Sequence, residues 1–166
     1  MLTITRRVLF VLLVLNWIAA AAFVIFGGVL VAAPDYMTGR FVAEYGANAD
    51  AVRQGLIGIL AVGIAAAVPV HFIFTRIIAM IDTVRAGSPF APTNAERLRQ
   101  IAWGMLALQV IDLGFGWFAM RLGAATGEFM SWQVSVTGWL AVLLLFVLAR
   151  VFQHGAAMQD EIEGTV

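Results

Sequence analysis

Residues 100–120 read QIAWGMLALQVIDLGFGWFAM, and this stretch decides the fold. It is long enough to cross a bilayer, whose hydrocarbon layer takes about 20 apolar residues of helix. A single charge interrupts it, Asp112. Asp112 lies about 17 Å beyond Ile101 along a helix, near the middle of such a span. A carboxylate there costs roughly 2.5–3.5 kcal/mol on an insertion scale. A chain that keeps it must offset that cost within the folded protein.

Three further runs, 8–33, 54–75 and 129–149, carry no charge at all. The 166-residue chain is 62% hydrophobic and 12% charged, against about 25% charged in soluble domains. Continuous apolar character calls for helices, since barrel strands alternate apolar with polar. The expected fold is therefore all-α: an integral membrane four-helix bundle with short cytoplasmic helix extensions. The helices are expected at about 8–33, 54–84, 93–120 and 129–163, in one domain over 1–166. Such a chain has no room for a separate soluble catalytic domain.

Composition narrows the chemistry. Cysteine is absent, which excludes disulfides, iron–sulfur clusters and thiol catalysis. All ten basic residues are Arg, and the net charge is zero, so direct nucleic-acid binding is not expected. The two histidines, His71 and His154, lack the paired spacing of an axially ligated haem. No H-E-x-x-H, G-x-S-x-G or phosphate-loop pattern occurs, so neither a metal site, a cofactor nor an enzyme activity is expected.

Arginine sets the expected topology. Arg6-Arg7 followed by an apolar run looks like a signal peptide, but a signal core holds about 7–15 apolar residues. This run continues to Ala33, so an uncleaved anchor is expected. With the N-terminus in the cytoplasm, seven arginines (6, 7, 76, 85, 97, 99 and 150) lie inside and three (40, 53 and 121) outside. The excess predicts an arrangement with both termini cytoplasmic. The outer loops are then 34–53 and 121–128, and the inner loop is centred on 82–92. Trp103, Trp117 and Trp132 fall near the interfaces, whereas Trp17 and Trp139 lie deeper, between helices.

Several local patterns refine this. Gly87, Pro89 and Pro92 break the inner loop. Thr93 and Glu96 have capping-box spacing, which starts the third helix at Thr93. The stripes Ile77, Ile78, Ile81, Val84 and Val151, Gly155, Met158, Ile162 carry apolar faces past the spans. They fit either a short bundle extension or a groove for a partner helix. Ala61/Ala65 and Gly63/Ala67 are small-xxx-small pairs suited to close helix contact. Those contacts can lie within one chain or between copies in a homo-oligomer. Pro69 is expected to kink the second helix.

Two groups of candidate site residues emerge. Gln109 and Asp112 share one face of the third helix, and Asn16 and His71 lie in the inner half of theirs. Together they form a candidate intramembrane polar cluster. It reads as an interhelical hydrogen-bond network, as a ligand, ion or proton site, or as an Asp112 that faces lipid. The second group is a cytoplasmic surface of Phe90, Asn94, Arg97, Phe152, Met158, Glu161 and Glu163. The acidic tail is either solvated or folded onto Arg85, Arg97 and Arg99.

Gly87-Ser88-Pro89-Phe90-Ala91-Pro92-Thr93-Asn94, followed by Leu98 and Ile101, forms a G-x-P-F-x-P-x-N block. A second block is Val151-Phe152-Gln153-His154-Gly155, with Glu161-Ile162-Glu163-Gly164-Thr165-Val166 at the end. Together they resemble the bacterial membrane-protein family known as domain of unknown function 2975. The first half of the chain matches only in hydropathy. The resemblance implies four transmembrane helices. It also implies a regulatory role beside a small helix-turn-helix regulator as cytosolic protein partner, and it carries no catalytic residue. The leading expectation is thus a non-enzymatic regulatory or scaffolding protein in contact with membrane lipids. The alternative is a small transporter or ligand- or proton-sensing bundle built around Asp112.

Overall fold

The structure, a computed structural model, describes residues 2–32, 34–88, 90–128 and 130–163, with side chains for all of these except 34–38 and 159–163. Among them run five α-helices: α1 Leu2–Ala32, α2 Pro34–Tyr45, α3 Ala49–Arg85, α4 Pro92–Thr126 and α5 Val136–Glu163. A 3-10 turn, Gly46–Asn48, joins α2 to α3, and no strand occurs among the described residues. Four helical segments are long and apolar enough to cross a membrane. The fold is all-α, and the chain is a multi-pass membrane protein.

The helix ends differ from those expected, each for a local reason. α1 starts at Leu2 instead of 8, and its added turn carries Arg6, whose Nε donates to Asp82 Oδ1 at 3.1 Å. The expected loop over 34–53 is mostly helical. Pro34 opens α2, as proline suits a first helical position, and Phe41 and Tyr45 stack one turn apart with ring centroids 6.2 Å apart. α3 then starts at Ala49 instead of 54, with Asp50 in its first turn, where a carboxylate meets the positive end of the helix dipole. Pro69 stands inside α3, which continues past it as α-helix to Arg85.

α4 opens at Pro92 rather than Thr93, and the Asn94 N–H donates to Ala91 O at 2.8 Å. The capping box is not formed. Glu96 lies along the helix instead, accepting from Gln100 Nε2 at 3.0 Å and pairing with Arg99 Nη2 at 2.7 Å. α4 runs on to Thr126 instead of stopping at 120. Gly127 follows it at φ +75, a left-handed terminator that glycine adopts without a Cβ clash. α5 begins at Val136, not 129, because Ser135 caps it: its Oγ accepts from the Gly138 N–H at 3.1 Å, as an N-cap side chain does.

The chain forms two compact units. The first comprises Met1–Asn16, Pro69–Gln109 and Ser135–Val166. In it, Ile73 covers Gly104, and Trp103 meets Phe146 edge-on with ring centroids 5.3 Å apart. The second comprises Trp17–Val68 and Val110–Val134. There, Gly55 lies against Leu122, Gly58 under Phe118, Gly63 under Phe23 and Gly116 under Trp132. The last three positions have no room for a Cβ without movement of the facing ring. Arg53 Nε donates to Leu30 O at 3.0 Å, which satisfies a carbonyl near the end of α1 that has no intrahelical donor. Close packing therefore uses Gly63 but not the Ala61/Ala65 pair, whose residues are exposed. Trp17, expected between helices, is about half exposed at 48%.

Candidate functional site: the α3–α4 turn and the α4–α5 groove

The chemistry-bearing residues of the first unit gather where α3 turns into α4. At the end of α3, Gly87 N donates to Val84 O and Ser88 N to Thr83 O, both at 3.1 Å, the pattern of a Schellman motif. Gly87 makes this turn at φ +87, a backbone region that strains residues with a Cβ. The turn brings the last turn of α3 against the first of α4, and a polar network fills the space between them. Asn94 is fully buried. Its Oδ1 accepts from Thr83 Oγ1 at 2.8 Å and from Arg97 Nη1 at 2.9 Å. Arg97 Nη1 also donates to Ala79 O at 3.1 Å and to Thr83 Oγ1 at 3.3 Å. Since a guanidinium can only donate, the amide oxygen of Asn94 must face it.

Asn94 is thus not a surface residue, which corrects its assignment to an exposed face. A residue at zero exposure contacts no partner; its role is to fix the turn. Arg97 is half-buried and turned into the same network. Phe90 and Phe152 do come together, with ring centroids 5.5 Å apart, and Phe90 passes over Gly155. Phe90 remains 48% exposed and Met158 64% exposed. The side chains of Glu161 and Glu163 lie outside the described residues.

Beside this turn, a groove of about 420 Å³ opens between α4 and α5. Its floor is small and buried: Ala95, Ala149 and Ala156. Larger side chains at those positions would fill it. Its rim is polar, with Glu96 and Arg99 from α4 facing Arg150 and Gln153 from α5, and Phe146 closes its apolar end. Arg99 is paired with Glu96. Among the described residues the Arg150 guanidinium has no ion pair. His154 Nδ1 lies 2.9 Å from Arg150 O, so that nitrogen carries the proton and donates, because a carbonyl only accepts.

The intramembrane candidates divide between the units. Asn16, His71 and Gln109 fall in the first and Asp112 in the second. Asn16 and His71 are both engaged, His71 meeting the Phe72 ring edge-on at 6.0 Å. Gln109 Nε2 donates to Ser135 O at 3.3 Å, and its side chain lies tight against Gly138. Gln109 therefore serves the start of α5. Asp112 is half-buried, with no hydrogen bond or ion pair among the described residues.

Sequence reasoning missed Thr83 as a partner of Asn94, and it missed the groove. The groove did leave a signal. Arg99 directly precedes the apolar run 100–120 and Arg150 directly follows 129–149, so antiparallel helices set both at one depth.

No curated protein and no solved structure matches the chain. One family does, under the description Protein of unknown function (DUF2975), over residues 43–166. The match takes in α3, α4 and α5 with the turn, the buried network and the groove, and the chain therefore belongs to the DUF2975 family.

Proposed function

We infer that the chain is a non-enzymatic protein of the bacterial inner membrane, with both termini in the cytoplasm. Its α3–α4 turn and the end of α5 present a docking surface to a cytosolic protein partner, in a regulatory or scaffolding role. One observation carries this reading. Phe90 and Met158 lie beyond the apolar runs and are largely exposed, although water, not lipid, is the solvent expected there. The Asn94–Thr83–Arg97 network ties the last turn of α3 to the first of α4, and a preformed surface loses less entropy on binding. Buried aromatic and methionine contacts are also what partner interfaces favour.

A photo-crosslinking residue placed in turn at Phe90, Met158 and Leu143 tests this in native membranes. Phe90 and Met158 should crosslink to one and the same protein, and Leu143, within the apolar run, to lipid alone. Lipid adducts at all three positions would overturn the reading.

A second reading, a small transporter or proton-sensing bundle, rests on the half-buried, unpaired Asp112. It requires proton-coupled uptake into vesicles that Asp112→Asn abolishes. Uptake that is unchanged in Asp112→Asn would reject it.

A further inference from the structure

We propose that the α4–α5 groove binds the headgroup of a phospholipid, with the phosphate held between Arg99 and Arg150 and an acyl chain descending along Phe146. This does not depend on the docking surface above, and it assigns the neighbouring face a different occupant.

Three observations converge on it. The first is depth. Arg99 and Arg150 are the first charges outside their respective apolar runs, so both guanidiniums stand where hydrocarbon gives way to water. Lipid phosphates occupy that level, and cytoplasmic-leaflet anionic lipids attract basic side chains there. The second is shape. Ala95, Ala149 and Ala156 leave about 420 Å³ open beside the two arginines, reaching from Phe146 past them to Pro92 and Ala157 on their cytoplasmic side, where a headgroup has room, in a helix pair that closes at its membrane end through Trp103 on Phe146. The third is chemical gradient. Phe146 forms the membrane end of the groove, the two arginines stand about one turn further out, and Glu96 and Gln153 line its cytoplasmic part. Leu143, one turn below Phe146 on α5, is 62% exposed, and Trp103 on α4 is 59% exposed. The groove thus opens onto surface suited to an acyl chain.

Charge supports the same assignment. Glu96 offsets Arg99 at 2.7 Å, and Arg150 has no ion pair among the described residues. The lining residues thus hold two arginines against one carboxylate. A planar guanidinium offers two parallel donors to phosphate oxygens, the geometry arginine serves better than lysine. A free phosphate would meet the same two arginines but would leave the apolar end empty. The amphiphilic lining favours the lipid.

The experiment is native mass spectrometry of the full chain released from detergent. It is run with phosphatidylglycerol, with diacylglycerol of the same acyl chains, and with inorganic phosphate as competitor. Wild type should retain phosphatidylglycerol over diacylglycerol by roughly tenfold, the ratio expected for about 1.4 kcal/mol of headgroup contact. Arg99→Gln/Arg150→Gln should remove that preference, and Arg121→Gln, on the second unit, should keep it. Should the double variant fail to fold, Ala157→Trp keeps both arginines and blocks the groove from an exposed position; it should lose the lipid too. Equal retention of both lipids by wild type, or undiminished preference in Ala157→Trp, overturns the proposal. So does displacement of the lipid by inorganic phosphate at equal concentration, which would identify the groove as a free-anion site.

Discussion

Removing the Asn94 amide takes an acceptor from both Thr83 and Arg97. Thr83 can turn its hydroxyl back to Met80 O, 2.8 Å away, but Arg97 Nη1 loses its shortest bond. Arg97 Nη1 keeps Ala79 O and Thr83 Oγ1 as acceptors, so Asn94→Ala should lower stability by about 1.5–3 kcal/mol, the worth of a hydrogen bond to a charged group. Asn94→Asp keeps the acceptor and should cost less, and reversible unfolding in bicelles separates the two. Asp112 gives the opposite expectation. With no partner among the described residues to lose, Asp112→Leu should hold or raise stability in the same assay. A loss near 1.7 kcal/mol, about the largest measured interhelical contribution, would reveal a hydrogen bond the carboxylate makes in the membrane. Both roles were hard to read from sequence. Asn94 sits among loop residues and looks exposed until α3 and α4 close around it, while Asp112 sits in a span and looks paired, yet meets no polar partner among the described residues.

At the scale of elements, hydropathy found each membrane helix but not its ends. Apolar content marks what lipid tolerates, whereas a helix stops where capping bonds and a left-handed glycine stop it. Residues 130–135 carry no charge, yet Trp132 covers Gly116 there, and Ser135 caps the start of α5. Ser135→Ala should thus cost about 0.5–2 kcal/mol, as an N-cap loss does, with faster amide exchange at Gly138 as its local signature. The helix contacts were only partly legible for a related reason. Small residues allow close approach, but which small residues are used depends on the facing side chain. Gly58 meets the Phe118 ring and Gly28 meets nothing within 4 Å. Gly58→Val should therefore destabilise the protein by about 1–3 kcal/mol through overpacking, whereas Gly28→Ala should be neutral or mildly favourable, since alanine outranks glycine in a helix. Thermal unfolding of the two variants in one detergent tests the contrast.

For the whole molecule, orientation in the bilayer follows from where the arginines fall. The native chain has no cysteine, so Ala47→Cys, exposed in the turn between α2 and α3, carries a unique label. An impermeant maleimide should reach it from outside intact cells, while a cytoplasm-active reporter fused after Val166 stays active. Protection at position 47 together with a periplasmic C-terminus would invert the assignment. The molecule also distributes its constraints unevenly. Of the 31 residues of α1, Ala20 and Leu30 are buried, and its ties to the rest include Arg6 to Asp82, Phe23 over Gly63, Gly27 beside Leu60 and Leu30 O to Arg53, with Thr5, Asn16 and Trp17 also engaged. Such a helix must remain in the bilayer on its own hydropathy from the moment it leaves the ribosome, because α3 is not yet made. Its information content is correspondingly low. Away from those ties almost any apolar residue can replace another along it, so a saturation library should find mutational drift tolerated over most of the exposed face of α1 and the intolerant positions at the ties themselves.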